Sequence, residues 1–205
     1  MAEPETEVKQ KPRVLIYLLQ QDVRLSDNPI FHAASLQSSI AESSAELSDT
    51  PSREDSLVST QDEPYFTHFL PVYIFPANQI EVSGFLADST QRNPYPEARS
   101  RIAGLWRTGV HRAKFMAEGV WDLKEKLESL GCGSGLELRV GRIEEVVEHM
   151  LDEIIDGDQM DVAGVWMTSQ EGTEEKCSRQ RIKNITAQRD IDFKLWEDVK
   201  YYIDE

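Results

Sequence analysis

Residues 14–19, Val14-Leu15-Ile16-Tyr17-Leu18-Leu19, are apolar without interruption. A run of this kind fits a strand covered on both faces, because a strand with one wet face would alternate. Further strands are read in HFLPVYIFP (68–76), LELRV (136–140), VAGVWM (162–167) and DFKLWE (192–197), so five strands are predicted. Between them the period lengthens to that of helices. A short helix is expected from about Asn28 to Leu36, with Asp27 as its N-cap and Pro29 at the first helical position. A long one is expected from Val110 to Leu130, its apolar side marked by Phe115, Val120, Trp121, Leu123, Leu127 and Leu130, and its end by Gly131. Residues 143–155 read as an amphipathic helix stopped by Gly157, and 172–189 as a polar, charged one. Residues 77–108 look irregular, punctuated by Pro94 and Pro96, with a helical turn around Glu97 to Ile102. Strands that alternate with helices predict an α/β fold, a parallel sheet with helices on both faces.

Two segments carry too little apolar surface to offset their ordering entropy. Residues 1–12 are expected to be a disordered polar tail preceding one domain over 13–205. The run SSIAESSAELSDTPSREDSLVSTQDE (38–63) is expected to be a disordered insertion within it. The length of 205 residues suits a single domain with a sizeable core. Composition narrows the function. With 22 Lys+Arg against 37 Asp+Glu the net charge is −15, which disfavours direct nucleic-acid binding. No apolar run reaches the ~20 residues that span a bilayer. The start, MAEPETEVKQK, resembles neither a secretory signal nor an Arg-rich transit peptide. Cys132 and Cys177 have no metal-ligand spacing and suit a reduced compartment, so the expected location is cytoplasmic or nuclear.

Few residue patterns suggest chemistry. GCGSG (131–135) precedes a strand, whereas a phosphate loop follows one and opens a helix, so it reads as a helix stop and turn. His32, His68, His111 and His149 fall at no metal-binding interval and read as solvated or core histidines. Trp106, Trp121, Trp166 and Trp196 read as core anchors. No local signature of a catalytic triad and no metal site is expected. Two turns stand out, both at predicted carboxyl ends of strands, where ligands sit in open α/β sheets. After the first strand come Gln20, Gln21, Asp22, Arg24, Asp27 and Asn28, charged and without the glycines a dinucleotide needs. After the fourth comes MTSQEGTEEK (167–176), where Thr168 and Glu171 have capping-box spacing and Glu174 and Glu175 complement the helix dipole. The competing reading of Glu171 is a carboxylate that accepts a pair of N–H donors from a heterocycle such as a pterin.

The segments LIYLLQQDVRLSDNP, FLPVYIFP, YPEARSRIAGLWRTGVHRAKFMAEGVWDLKEKLESLG, LRVG, VWMTSQEGTEE and FKLWEDVKYYID, in this order, resemble the N-terminal antenna domain of the cryptochrome/photolyase family. Within it they are most similar to the DASH cryptochromes, over nearly all of 13–205 apart from the Ser-rich insertion. The resemblance implies a Rossmann-like sheet of five parallel strands. It also implies 5,10-methenyltetrahydrofolate as antenna pigment, in a cleft between this domain and a helical one that binds FAD. Glu171 would match the glutamate that hydrogen-bonds the pterin. Asp22, Arg24, Asp27 and Asn28 would match the family's D-x-R-x-x-D-N turn, a self-bonded polar corner near the cleft and domain boundary held by Asp/Arg pairing. Where the family usually has Arg just before this turn, this chain has Gln20 and Gln21. The expectation is therefore a non-catalytic light-harvesting domain, lacking the C-terminal FAD domain and pairing with one in cis or trans. The alternatives are a non-photochemical interaction module for a flavin-bearing partner and a nucleotide-binding protein of similar topology.

Overall fold

A computed structural model of the chain describes residues 11–46, 65–86, 88, 90–131 and 133–197. The elements run β1 (Arg13–Leu19), α1 (Pro29–Glu46), β2 (His68–Pro76), α2 (Val110–Ser129), β3 (Glu137–Gly141), α3 (Ile143–Asp156), β4 (Asp161–Thr168), α4 (Thr173–Gln188) and β5 (Phe193–Trp196). The five predicted strands form one sheet in the order β3-β2-β1-β4-β5, and every pairing is parallel. Along β1 the side chains alternate between two cores. Leu15, Tyr17 and Leu19 meet Ile30 of α1 and Val120, Leu123 and Leu127 of α2. Val14, Ile16 and Leu18 meet Val147 and Leu151 of α3 and Ile182 of α4. Both faces of β1 are thus covered, which is why its sequence is apolar from Val14 to Leu19.

The helices differ from expectation in instructive ways. α1 does not stop near Leu36 but continues to Glu46, taking in the first nine residues of the segment expected to be disordered. Beyond Pro29 this stretch has neither Gly nor Pro, and once a helix is nucleated each further residue is added cheaply. The rest of that insertion, residues 47–63, and most of the predicted tail lie outside the described residues, as does Cys132. The N-cap of α1 is Asn28, not Asp27. Pro29 is the first helical residue as predicted, and the Asn28 side-chain oxygen accepts from the amides of Ile30 (3.0 Å) and Phe31 (3.1 Å). On α2 the buried positions are Val120, Leu123 and Leu127, whereas Phe115, Trp121 and Leu130 are exposed. The pattern marked one apolar side wider than the sheet can cover. Trp106 is likewise largely exposed and is no core anchor, while Trp166 is fully buried. The four histidines are all solvent-exposed. The helical element of the 77–108 segment is a 3-10 turn at Ser83–Phe85, not near Glu97 to Ile102, where the chain makes a turn closed by the Gly104 amide on the Ser100 carbonyl at 2.9 Å.

One glycine is required by packing. Gly141 ends β3 at φ 153°, and a Cβ there would stand 2.7 Å from both the Tyr95 hydroxyl and Cγ2 of Val146. The irregular segment and α3 close over the strand end because that atom is missing. Gly141→Ala is therefore expected to cost about 2 kcal/mol, read as a lower urea midpoint at unchanged m. An unchanged midpoint would show that Tyr95 can move aside freely.

Candidate functional site

The connections β1–α1–β2 and β2–α2–β3 step one way from β1, and β4 lies on its other side. Chain directions diverge there, and ligands of open α/β sheets sit at the carboxyl ends of the strands beside such a point. At this edge lies a cleft of about 390 Å³. Its apolar walls come from Leu19, Tyr73, Val23, Phe115 and Met116, and its polar rim from Gln20, Gln21, Gln79, Arg112 and Glu175. The Gln20 side-chain oxygen is buried without a hydrogen-bond partner among the described residues. A buried acceptor of this kind costs free energy until a donor meets it.

Behind the cleft, the turn after β1 is held by a buried network. The Tyr17 hydroxyl donates to the Asp22 carboxylate. Asn28 donates to the Tyr17 oxygen at 2.8 Å and to the Asp22 carbonyl at 3.3 Å. The Gln20 amide donates to Asp22 at 3.0 Å, which fixes where the cleft-lining residue leaves the strand. Burial, then the Asp22 charge, pushes the Tyr17 phenol far above its usual range, and the same two causes push Tyr73 up to about 12. The expected Asp/Arg pairing exists between Arg24 and Asp27 at 3.1 Å, both exposed. Exposed pairs of this kind contribute about 0–1 kcal/mol, so the buried Tyr17–Asp22–Asn28 network, and not this pair, holds the corner. Asp27 sits in left-handed backbone at φ 54°, which Asp tolerates and which frees Asn28 to cap.

The sequence-predicted residues therefore divide. Gln20 and Gln21 line the cleft, whereas Asp22 and Asn28 are buried beneath it. Asp27 and Asn28 border a separate open depression of about 460 Å³ at the start of α1. Glu171 does not line the cleft. It stands exposed on the loop before α4, with the Lys176 ammonium at 2.8 Å. Nor do Thr168 and Glu171 form a capping box, because α4 begins at Thr173 with Gly172 as its N-cap. Thr168 is instead the buried last residue of β4, its hydroxyl unpartnered among the described residues. Tyr73, Phe115, Arg112 and Glu175 are the cleft residues that sequence reasoning missed as ligand candidates. Glu174 and Glu175 do fall in the first turn of α4, as the dipole argument predicted. Glu174 is clasped by Arg107, with Nη2 reaching both carboxylate oxygens.

Among the described residues no cluster of three or more His, Cys, Asp or Glu could hold a metal ion. No helix among them is long and apolar enough to cross a membrane.

Residues 15–201 match the family model described as DNA photolyase. A Neurospora crassa protein bearing the name cryptochrome DASH, mitochondrial, is 40% identical over 191 residues, covering 93% of this chain and 22% of that protein. A cryptochrome DASH of Gibberella zeae is 36% identical over 193 residues, covering 94% of this chain and 24% of the relative. The chain thus spans less than a quarter of the length of either relative. Among solved structures, the Synechocystis sp. PCC6803 cryptochrome superposes with a TM-score of 0.61 at 17% identity, over 92% of this chain and 28% of that one. The Sulfolobus tokodaii photolyase, described with two FAD molecules, gives 0.50 at 17% identity, over 90% and 29%. At these identities the two structures speak for the fold.

Proposed function

Because the chain belongs to the DNA photolyase family, we propose that it serves as the N-terminal light-harvesting domain of a DASH-type cryptochrome. In that role it holds an antenna chromophore and passes excitation to a flavin carried by a helical domain, in cis or in trans. The observation that carries this reading is the cleft at the carboxyl edge of the sheet. Its apolar walls suit a flat ring, and the orphaned Gln20 oxygen and the Glu175 carboxylate suit a ring edge that donates N–H groups. Methenyltetrahydrofolate is the chromophore we favour, and it would supply near-ultraviolet absorption with no bond made or broken here. Glu171, the acceptor of the pterin's donor pair that the family resemblance implies, stands outside the cleft lining and pairs with Lys176, so in this role it would leave that ion pair to reach the ring. DNA contact on this reading belongs to the partner domain, since a net charge of −15 repels a phosphate backbone. The proposed compartment is the cytosol or nucleus. Imaging the tagged protein decides between these and the mitochondrion that the Neurospora relative's name carries.

The test is titration with methenyltetrahydrofolate in a protein that carries both domains, followed by near-ultraviolet absorption. Glu171→Gln replaces a charged acceptor pair by one acceptor and one misplaced donor. Charge-assisted bonds contribute about 1.5–3 kcal/mol, so folate affinity should fall at least about tenfold while the unfolding midpoint barely moves. Equal folate retention by variant and parent would remove Glu171 from the site. A parent protein that stays colourless would favour the non-photochemical interaction module instead.

A further inference from the structure

We propose that Glu175 selects the ligands of the cleft by sealing the amino end of α4 against phosphate. This rests on the cleft being the ligand seat proposed above, and it concerns one wall of it. In open α/β folds the helix that follows a strand at the ligand edge offers unpaired N–H groups and the positive end of its dipole, the usual seat of a phosphate. α4 is a 16-residue helix placed to do this, yet its first turn carries Glu174 and Glu175. Arg107 draws Glu174 toward the irregular segment. Glu175 is half-buried and lines the cleft. Its carboxylate occupies the space that a Cβ on Gly172 would need.

Gly172 is the N-cap of α4 and makes no side-chain cap bond. The missing side chain is what allows the carboxylate three residues on to fold back over the helix end. An arriving phosphate would meet this negative charge over the helix end before it reached the amides. The same carboxylate can accept N–H donors from a ring, and Arg112 lies elsewhere on the rim, available to an anionic tail. The ligand class that follows is a phosphate-free heterocycle with a donor-bearing edge, rather than a flavin nucleotide. Pterins fit that description and FMN does not.

Riboflavin and FMN share one ring and differ by the phosphate, so fluorescence titration of both against the full chain and against Glu175→Ala isolates the effect. The variant should raise the affinity for FMN relative to riboflavin by about tenfold. In a second measurement, inorganic phosphate should raise the melting temperature of Glu175→Ala and leave the parent's unchanged. An affinity ratio that does not move overturns the proposal, even with a phosphate-dependent shift, because the anion seat would then lie outside the cleft. Should neither flavin bind either protein, the folate titration above still tests the chromophore reading, and the phosphate experiment decides Glu175: equal responses of parent and variant refute the seal.

Discussion

Asn28→Ala is expected to lower the free energy of unfolding by about 3 kcal/mol. The side chain is 1% exposed and does two jobs. It caps α1 through the Ile30 and Phe31 amides, and it ties the Tyr17 hydroxyl and the Asp22 carbonyl to the helix start. Losing a cap costs about 1 kcal/mol, and the buried Ile30 amide left unpartnered adds about 1–3, while the Tyr17 hydroxyl keeps the Asp22 carboxylate and the Asp22 carbonyl keeps the Arg24 amide. Asp27→Ala is the informative control, because its carboxylate is exposed and meets only the exposed Arg24 in this turn's ion pairing. It should cost about 1–2 kcal/mol, mostly the strain of Ala in the left-handed backbone, with the exposed ion pair a minor part. Urea unfolding followed by far-ultraviolet circular dichroism compares the two, and a larger loss for Asp27→Ala would return the cap to that residue.

A steep fall in stability above pH 10 is the second large effect. Tyr17 and Tyr73 are buried, and both phenols are held neutral well above their ordinary range, Tyr73 up to about 12. In the unfolded chain both release protons near pH 10. Below that value the two states bind these protons equally and the contribution is complete. Between about pH 10 and 12 only the unfolded chain loses them, so each tyrosine removes about 1.4 kcal/mol per pH unit. Tyr73 alone would account for about 3 kcal/mol by pH 12. Denaturation midpoints taken from pH 9 to 11.5 should drop along this slope, and Tyr73→Phe should make it shallower. A flat profile in the parent would mean that the phenols ionise in the folded protein.

What could be read from the chain beforehand follows from how many forces spoke at each position. The inner strands were legible because burial on both faces leaves an uninterrupted apolar run, as in residues 14–19. α3 was legible because Val147, Met150 and Leu151 recur at helical spacing beside charged neighbours. The far end of α1 was not, since Ser- and Glu-rich sequence carries no apolar stripe to announce a helix. Asp27 and Asn28 are both competent caps, and only the left-handed backbone of Asp27 decides between them. Phe115 and Trp121 looked like core because periodicity records hydrophobicity and not what lies opposite. The cleft itself joins residues from β1, β2, α2 and α4, which no local motif connects. Glu175 went unnoticed as a ligand residue for the same reason: its position over Gly172 is a fact of three dimensions.

The place of β1 in the sheet has a consequence for synthesis. It is the central strand, with β2 on one flank and β4 on the other, and Val14 pairs with Val162, 148 residues later. At about 5–20 residues per second, a ribosome needs roughly 7–30 s between making the two. During that interval one edge of a strand apolar from Val14 to Leu19 has no neighbour, long enough for self-association or chaperone capture to compete with completion of the sheet. Slowing translation between β2 and β4 should therefore lower the soluble yield, while the stability of the molecules that do fold stays the same.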